Sequence, residues 1–205
     1  MRLIGLIGQS GAGKSTVGAM LTARGYPVLD GDLLARRVTS TGAPILTRLA
    51  EVFGQDILTP GDANSKSSSN SLELNRRLLA KRAFASSEAT KKLNSILHPA
   101  ITSLVLNELE AINGSVAFLE GAALQDSPLA AHCHAFIAVV ADENLRLQRI
   151  IKRDKLKKED ALLRMSAQRT QDEYCEKADF VIENNDSLEL ESQLDKILEA
   201  IIKQK

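Results

Sequence analysis

Residues 3–16, LIGLIGQSGAGKST, constrain this chain more than any other stretch. A short apolar run (Leu3, Ile4, Leu6, Ile7) leads into a glycine-rich turn, and a helix-competent segment comes next. Gly8, Gly13, Lys14 and Ser15 satisfy the spacing G-x-x-x-x-G-K-[ST] without gap or substitution. Glycines reach backbone angles that other residues resist, so successive N–H groups can turn inward around a phosphate. A helix beginning near Gly13 adds its positive dipole end and unpaired amides. Lys14 would reach the β- and γ-phosphates, and the Ser15 hydroxyl would ligate Mg²⁺. Strand, loop and helix occur in the order this chemistry demands. The stretch therefore predicts a nucleotide site built on Gly8, Ser10, Gly11, Ala12, Gly13, Lys14, Ser15 and Thr16.

The segments after the loop set the fold class. Thr16 to Arg24 predicts a helix with Val17, Met20 and Leu21 on one face, closed by Gly25. Tyr26 to Leu29 predicts a second strand, ending at Asp30-Gly31-Asp32. A strand–helix–strand unit with a short return implies a parallel sheet, whose ligands sit beyond the carboxyl ends of the strands. Asp30 and Asp32 then share a rim with Lys14. Three more apolar runs read as strands: 115–119 ending at Glu120, 135–141, and 180–182 closing at Asn184-Asn185. The fold expected is α/β, a three-layer phosphate-loop NTPase fold around a five-stranded parallel sheet.

Helical patterns fill the rest. Short helices are expected at 33–38 and 44–53, a basic helical stretch with Arg76 at 72–84, and a long pattern at 88–112 broken or kinked at His98-Pro99. A histidine on an amphipathic helix is more often structural than catalytic. Residues 144–153 place Arg149 and Arg153 four apart on one face, with Arg146 beside them. A single helical stretch is expected from Glu159 to about Ala178. The last helix opens on a capping-box pattern, Asp186 and Glu189, and carries Leu194, Ile197, Leu198, Ile201 and Ile202 as a core stripe. Residues 59–71, polar and Ser-rich, read as a mobile surface loop in which Lys66 could grasp phosphate, though a solvated loop is the commoner meaning.

Bulk properties narrow the partners. At 205 residues the chain accommodates one full-sized core with an inserted lobe. Lys plus Arg and Asp plus Glu stand at 26 each, so there is no global basic field for nucleic acid or a membrane surface. Aromatics are 3% of residues, too few for base-stacking platforms. Cys133 and Cys175 lack metal or redox spacing and fit a reducing compartment. With neither a leader-like segment nor an apolar run of membrane-spanning length, the expectation is a cytoplasmic protein.

Phosphoryl transfer requires a held nucleotide, positive charge over the transferred group and a base near the acceptor. Asp32 and Glu120 end neighbouring strands, where either could hold Mg²⁺ or its waters, or accept a proton. Arg149 and Arg153 could close over the phosphates as a lid that excludes water; the bland alternative is surface pairing with Asp142 or Glu143.

Together these segments resemble the dephospho-coenzyme A kinases. GQSGAGKST stands at the phosphate loop, and VLDGDLLARRV is similar to that family's V-I-D-A-D-x-x-A-R segment. LNRRLLAKRAF is similar to D-R-x-x-L-x-x-x-x-F, and LNSILHPAI to L-x-x-L-x-H-P-x-I. QRIIKRD and RMSAQ resemble the two arms of its lid, and ADFVIENN its A-D-x-V-I-x-N-N strand. The resemblance implies transfer of the ATP γ-phosphate to the 3′-hydroxyl of dephospho-coenzyme A, with Mg²⁺. It implies core segments 1–32, 115–148 and 179–205, a helical substrate lobe at about 33–114 and a lid at about 149–178. Asp32 would orient or deprotonate the acceptor hydroxyl and assist Ser15 with the metal. Lys14 and Arg149 would act on the transferred phosphate, and Arg149 and Arg153 would be the lid arginines. Arg76, His98, Asp32 and Glu120 would serve dephospho-coenzyme A, and Asn184 or Asn185 would lie near the adenine. The partner implied is that small molecule, for a monomer or small homo-oligomer. Against the family's [DE]-x-P-L-L-x-E segment, this chain keeps Glu120 and departs from the pattern after it; the neutral Gln125 is left out of the site. The competing readings are another small-molecule phosphate-loop kinase and an ATP sensor without transfer.

Overall fold

The computed structural model describes residues 1–60, 72–185 and 187–203. The Ser-rich segment 61–71 and the Asp186 cap lie outside the described residues. In chain order the elements begin with β1 (Arg2–Ile7), α1 (Lys14–Ala23), β2 (Val28–Asp30), α2 (Gly31–Val38) and α3 (Ile45–Phe53). Next come β3 (Leu58–Pro60), β4 (Leu72–Leu74), α4 (Arg76–Ala83), α5 (Ser87–Glu110), β5 (Val116–Glu120) and β6 (Cys133–Val140). The chain ends with α6 (Glu143–Asp154), α7 (Lys158–Ser166), α8 (Gln171–Glu176), β7 (Phe180–Glu183) and α9 (Ser187–Lys203). It forms two compact units, Met1–Gly31 with Ile112–Lys205, and Asp32–Ala111.

The first unit is built on a five-stranded sheet in the order β2-β5-β1-β6-β7, every pair parallel. Continuous apolar sequence in β1, β5 and β6 suits strands covered on both faces. α1 and α9 contribute Val17, Leu21, Leu190, Leu194, Ile197, Leu198 and Ile201 to the core around Phe118, Ile137 and Val139. Ile202, expected in that stripe, is 47% exposed, and Leu190 at 2% takes the other end of it. The stripe drifts around a helix of 3.6 residues per turn, so its useful part runs from 190 to 201. Because all strands are parallel, the register puts Asp30 opposite Glu120, and Glu120 opposite Leu6, on one rim.

The expected helix from Glu159 to Ala178 is two helices. Thr170 starts the second with a full capping box: its hydroxyl accepts from Glu173 N–H, and Glu173 accepts from Thr170 N–H at 2.8 Å. A fresh cap in mid-pattern ends one helix and begins another.

The second unit is helical around Leu49, Phe53, Ile57, Leu79, Leu93 and Ile96. Leu72–Leu74, expected to be helical, pairs instead as a strand with Leu58–Pro60. α5 runs unbroken through Pro99, so of the expected break or kink the break does not occur. Proline inside a helix costs about 3 kcal/mol. Burial of Leu93 and Ile96 before it, and Val105 and Leu109 after it, at ~1.5–3 kcal/mol each, outweighs that cost.

Candidate active site

The turn after β1 is a cradle that only glycine permits. Gly8 and Gly13 have φ of 139° and 101°. A Cβ at Gly8 would run into the Val139 carbonyl, and one at Gly13 into the side-chain amide of Asn184. α1 then starts at Gly13 with no side-chain cap and no acidic residue in its first turn. Its end therefore offers the dipole and first-turn amides to an anion. Thr16 N–H already donates to Gly13 O at 3.0 Å. Lys14 Nζ curls over the loop, donating to Gly8 O at 2.9 Å and Gln9 O at 3.4 Å.

On the rim beside it, Ser15 Oγ donates to Glu120 Oε1 at 2.8 Å. Among the described residues no group of three or more His, Cys, Asp or Glu could cage a metal. Mg²⁺ does not need one. It is usually held by one or two protein oxygens, with phosphates and waters completing the octahedron, and this hydroxyl–carboxylate pair suits that habit.

α6 lays three arginines along the loop. Arg149 donates to Gly11 O at 3.2 Å, Ala12 O at 3.4 Å and Asn184 O at 3.0 Å. Arg153 reaches Ser10 Oγ at 3.2 Å while its fork grips Asp154 at 2.8 and 2.9 Å. Hydrogen bonding to Arg153 holds the Asp154 carboxyl below the usual range, and the same contact raises Arg153. Arg153 thus spends its ion pair on Asp154 and Arg149 its donors on backbone carbonyls, so neither takes up the surface pairing with Asp142 or Glu143. Asp142 instead caps α6.

Arg146, which the sequence pattern marks only as a neighbour of the other two, is 5% exposed and donates from Nε to Ser10 O at 3.2 Å. Burial pushes its guanidinium down, and one of its terminal nitrogens is buried without a partner among the described residues. Its spacing of three before Arg149 is the signal that points to it.

Asn184 is 5% exposed and donates from Nδ2 to Ala12 O at 2.8 Å. Asn185 Oδ1 accepts from Asp142 N–H at 2.7 Å. Gln9 and Gln168, which stand in the GQSGAGKST and RMSAQ segments but are given no role there, also bind the loop region: Gln9 Nε2 donates to Arg169 O at 2.7 Å, and Ser10 N–H to Gln168 Oε1 at 2.9 Å. Gln125 buries both amide atoms without a partner among the described residues.

Asp32, Arg76 and His98 belong to the second unit. Asp32 lies in the first turn of α2 and is exposed. Arg76 closes the other end of that helix, donating to Thr39 Oγ1 at 2.8 Å, Thr39 O at 3.2 Å and Arg36 O at 3.3 Å. A cation on the last carbonyls of a helix is favourable in its own right. His98 is half-buried within α5.

A phosphate cradle at the end of the central parallel strand, with an arginine-bearing helix laid along it, defines a phosphate-loop kinase. A family model described as dephospho-CoA kinase matches residues 2–189. Curated proteins named dephospho-CoA kinase are similar throughout. The one from Anaeromyxobacter dehalogenans is 37% identical over 187 residues, covering 90% of this chain and 84% of its own. That from Corynebacterium efficiens is 36% identical over 206 residues, covering 98% of each chain. A solved Thermus thermophilus structure superposes with a TM-score of 0.80 at 32% identity, covering 99% of this chain and 97% of that one. The chain belongs to the dephospho-CoA kinase family.

Proposed function

We propose that this protein transfers the γ-phosphate of ATP to the 3′-hydroxyl of dephospho-coenzyme A. The observation that carries this reading is the convergence of Lys14, the Ser15–Glu120 pair and the arginines of α6 on one glycine cradle, in a chain of this family. The amides from Gly11 to Ser15 hold the β- and γ-phosphates, and Lys14 leaves its loop carbonyls to follow the charge of the transferred group. Ser15 with Glu120 would hold Mg²⁺ or its waters, and the ion would supply charge neutralisation to the phosphates. Arg149 and Arg153 place mobile positive charge above the loop and keep water out. Asn184 and Asn185 set the wall against which the adenine rests. Asp32 orients the acceptor hydroxyl; the 3′-oxygen bonds to phosphorus as the bond to the β–γ bridging oxygen breaks, and the hydroxyl proton leaves through Asp32. Arg76 and His98 serve the acceptor in a substrate lobe at about 33–114, and the lid spans about 149–178. The setting is cytoplasmic, with no nucleic acid or membrane partner, and the protein acts as a monomer or small homo-oligomer. Among the described residues no helix is long and apolar enough to cross a membrane.

The test is ADP release with ATP and Mg²⁺ when dephospho-coenzyme A, AMP, CMP or shikimate is the acceptor. Release with dephospho-coenzyme A alone is the expected result. Release only with another acceptor, or with none beside tight ATP binding, overturns the reading. Asp32→Asn should keep ATP affinity and lose about two orders of magnitude in turnover, the usual worth of a positioned acid–base group. A loss of ATP binding would instead move Asp32 to the nucleotide.

A further inference from the structure

Ser10 sits at the apex of the cradle, 8% exposed, and each of its polar groups is held from outside the loop. Its N–H donates to Gln168 Oε1 at 2.9 Å, its carbonyl accepts from Arg146 Nε at 3.2 Å, and its hydroxyl accepts from Arg153 at 3.2 Å. Next to it Gln9, 9% exposed, donates to Arg169 O at 2.7 Å. Two of these partners come from α6 and two from residues 168–169, at the far end of α7.

That far end is itself pinned. The Arg169 fork grips Asp126 at 2.9 and 2.8 Å and reaches Glu173 at 3.0 Å. Tyr174 in α8 donates to Ala122 O at 3.0 Å. At the near end α6 stops at Lys155, the one non-glycine residue with positive φ among those described, at 53°. A left-handed residue at this position ends the helix and turns the chain. α7 is therefore an arm with a turn at one end and a clasp to the phosphate loop at the other. Its outer face leaves Leu162 and Leu163 exposed, at 40% and 71%, while Ala161 and Met165 pack with Ile150.

We propose that Gln168 is a positioning residue of the phosphate-transfer site: by holding the Ser10 amide it fixes the loop apex against which Arg153 stands, and it couples ordering of the loop to ordering of α7. The geometry explains why an uncharged side chain does this. Gln168 Oε1 takes up a loop N–H that would otherwise compete for phosphate, and it adds no negative charge beside the triphosphate. Ser10 Oγ holds one nitrogen of Arg153 whose other bonds go to Asp154. Arg153 thus waits between a carboxylate and a hydroxyl, and phosphate oxygens replace both. The proposal rests on reading Arg153 as a phosphate contact.

Hydrogen exchange, with and without a non-hydrolysable ATP analogue, tests it on the wild-type protein, Gln168→Met and Ser10→Ala. Gln168→Met keeps the length of the side chain and removes the acceptor; Ser10→Ala keeps the backbone bonds and removes the hydroxyl. In the wild type, nucleotide should protect both residues 8–16 and residues 158–166. In Gln168→Met, protection of 8–16 should persist while that of 158–166 falls about five-fold, the worth of one net hydrogen bond. Ser10→Ala keeps the Gln168 clasp, so nucleotide should protect residues 158–166 in it as in the wild type; a loss there as large as in Gln168→Met overturns the clasp as the coupling. Wild-type protection at 8–16 with none at 158–166 overturns the proposal alone. Equal protection of α7 in wild type and Gln168→Met does the same, as does equal loss in both segments, which would make the clasp a folding element of the loop. No nucleotide-induced protection at 8–16 in the wild type overturns the nucleotide site itself, and the proposal with it.

Discussion

Asn184 gives the sharpest test of how the cradle is held. Its Nδ2 donates to Ala12 O at 2.8 Å inside a site where the residue is 5% exposed. Removing the donor by Asn184→Ala leaves that carbonyl, among the described residues, only the 3.4 Å approach of Arg149. The backbone bonds of residue 184, N–H to Val140 O at 2.8 Å and its carbonyl from Arg149 at 3.0 Å, survive the change. One buried acceptor left nearly unpaired costs about 1–3 kcal/mol. If ~1–2 kcal/mol of that must be recovered when the loop closes on phosphate, the Kd for ATP rises roughly 5–30-fold. The same amount in overall stability lowers Tm by roughly 2–8 °C for a chain of this size. Titration calorimetry with Mg²⁺-ATP and a thermal melt read the two effects separately. Asn184→Leu is the control, because it fills much the same volume without a donor. It should be no better than the alanine variant. An Asn184→Leu protein with wild-type affinity and Tm would refute the argument, since filling space beside Gly13 would then suffice.

Packing and charge give three further outcomes. A Cβ on Gly5 would lie 2.5 and 2.6 Å from ring carbons of Phe136 and 3.0 Å from Leu124; Gly5→Ala should therefore cost ~1–3 kcal/mol of overpacking, seen as a lower Tm. Burial pushes the Cys133 thiol up to about 12, so at pH 8 roughly one in ten thousand is thiolate. Peptide mapping after treatment with a thiol reagent should find Cys133 unmodified in the folded protein and modified after denaturation, and rapid labelling of the folded form contradicts this. Asp154 has its carboxyl held low, first by the hydrogen bond from Arg153. A depressed folded value gives stability that is present above the unfolded pKa and lost as pH falls through the folded one. The Tm difference between wild type and Asp154→Asn should hold down to about pH 4 and shrink below it; a difference that vanishes between pH 7 and 5 would contradict the sign.

Much of the architecture is legible in the sequence because local pattern and tertiary demand agree. The apolar runs of β1, β5, β6 and β7, the glycine spacing and the stripe of α9 each have a single reading in a parallel sheet. Legibility fails where a side chain answers a distant partner or a hidden cap. The break between α7 and α8 depends on Thr170 and Glu173, a capping signal buried inside a longer helical pattern. Pro99 reads as a break or a kink from sequence, and the apolar surface buried on either side carries α5 through it without a break.

The same limit applies to the site, and in an instructive way. The residues that sequence spacing finds are those that meet ligand chemistry, because glycine, Lys14 and Ser15 must stand at fixed intervals whatever surrounds them. The residues to which it gives no role hold those in place. Gln9, Gln168 and Arg146 contact backbone atoms more than 130 positions away in sequence, and a backbone carbonyl or amide carries no sequence signature of its own partner. Asn184 falls between the two classes: it stands in a recognisable segment, but its visible bond is to Ala12 O, so its first task is to shape the loop. A phosphate site of this kind is therefore read from sequence as donors and charges. Its preorganisation, which sets how much binding energy is left for transfer, emerges only when the fold brings α6 and the 168–169 segment onto Ser10.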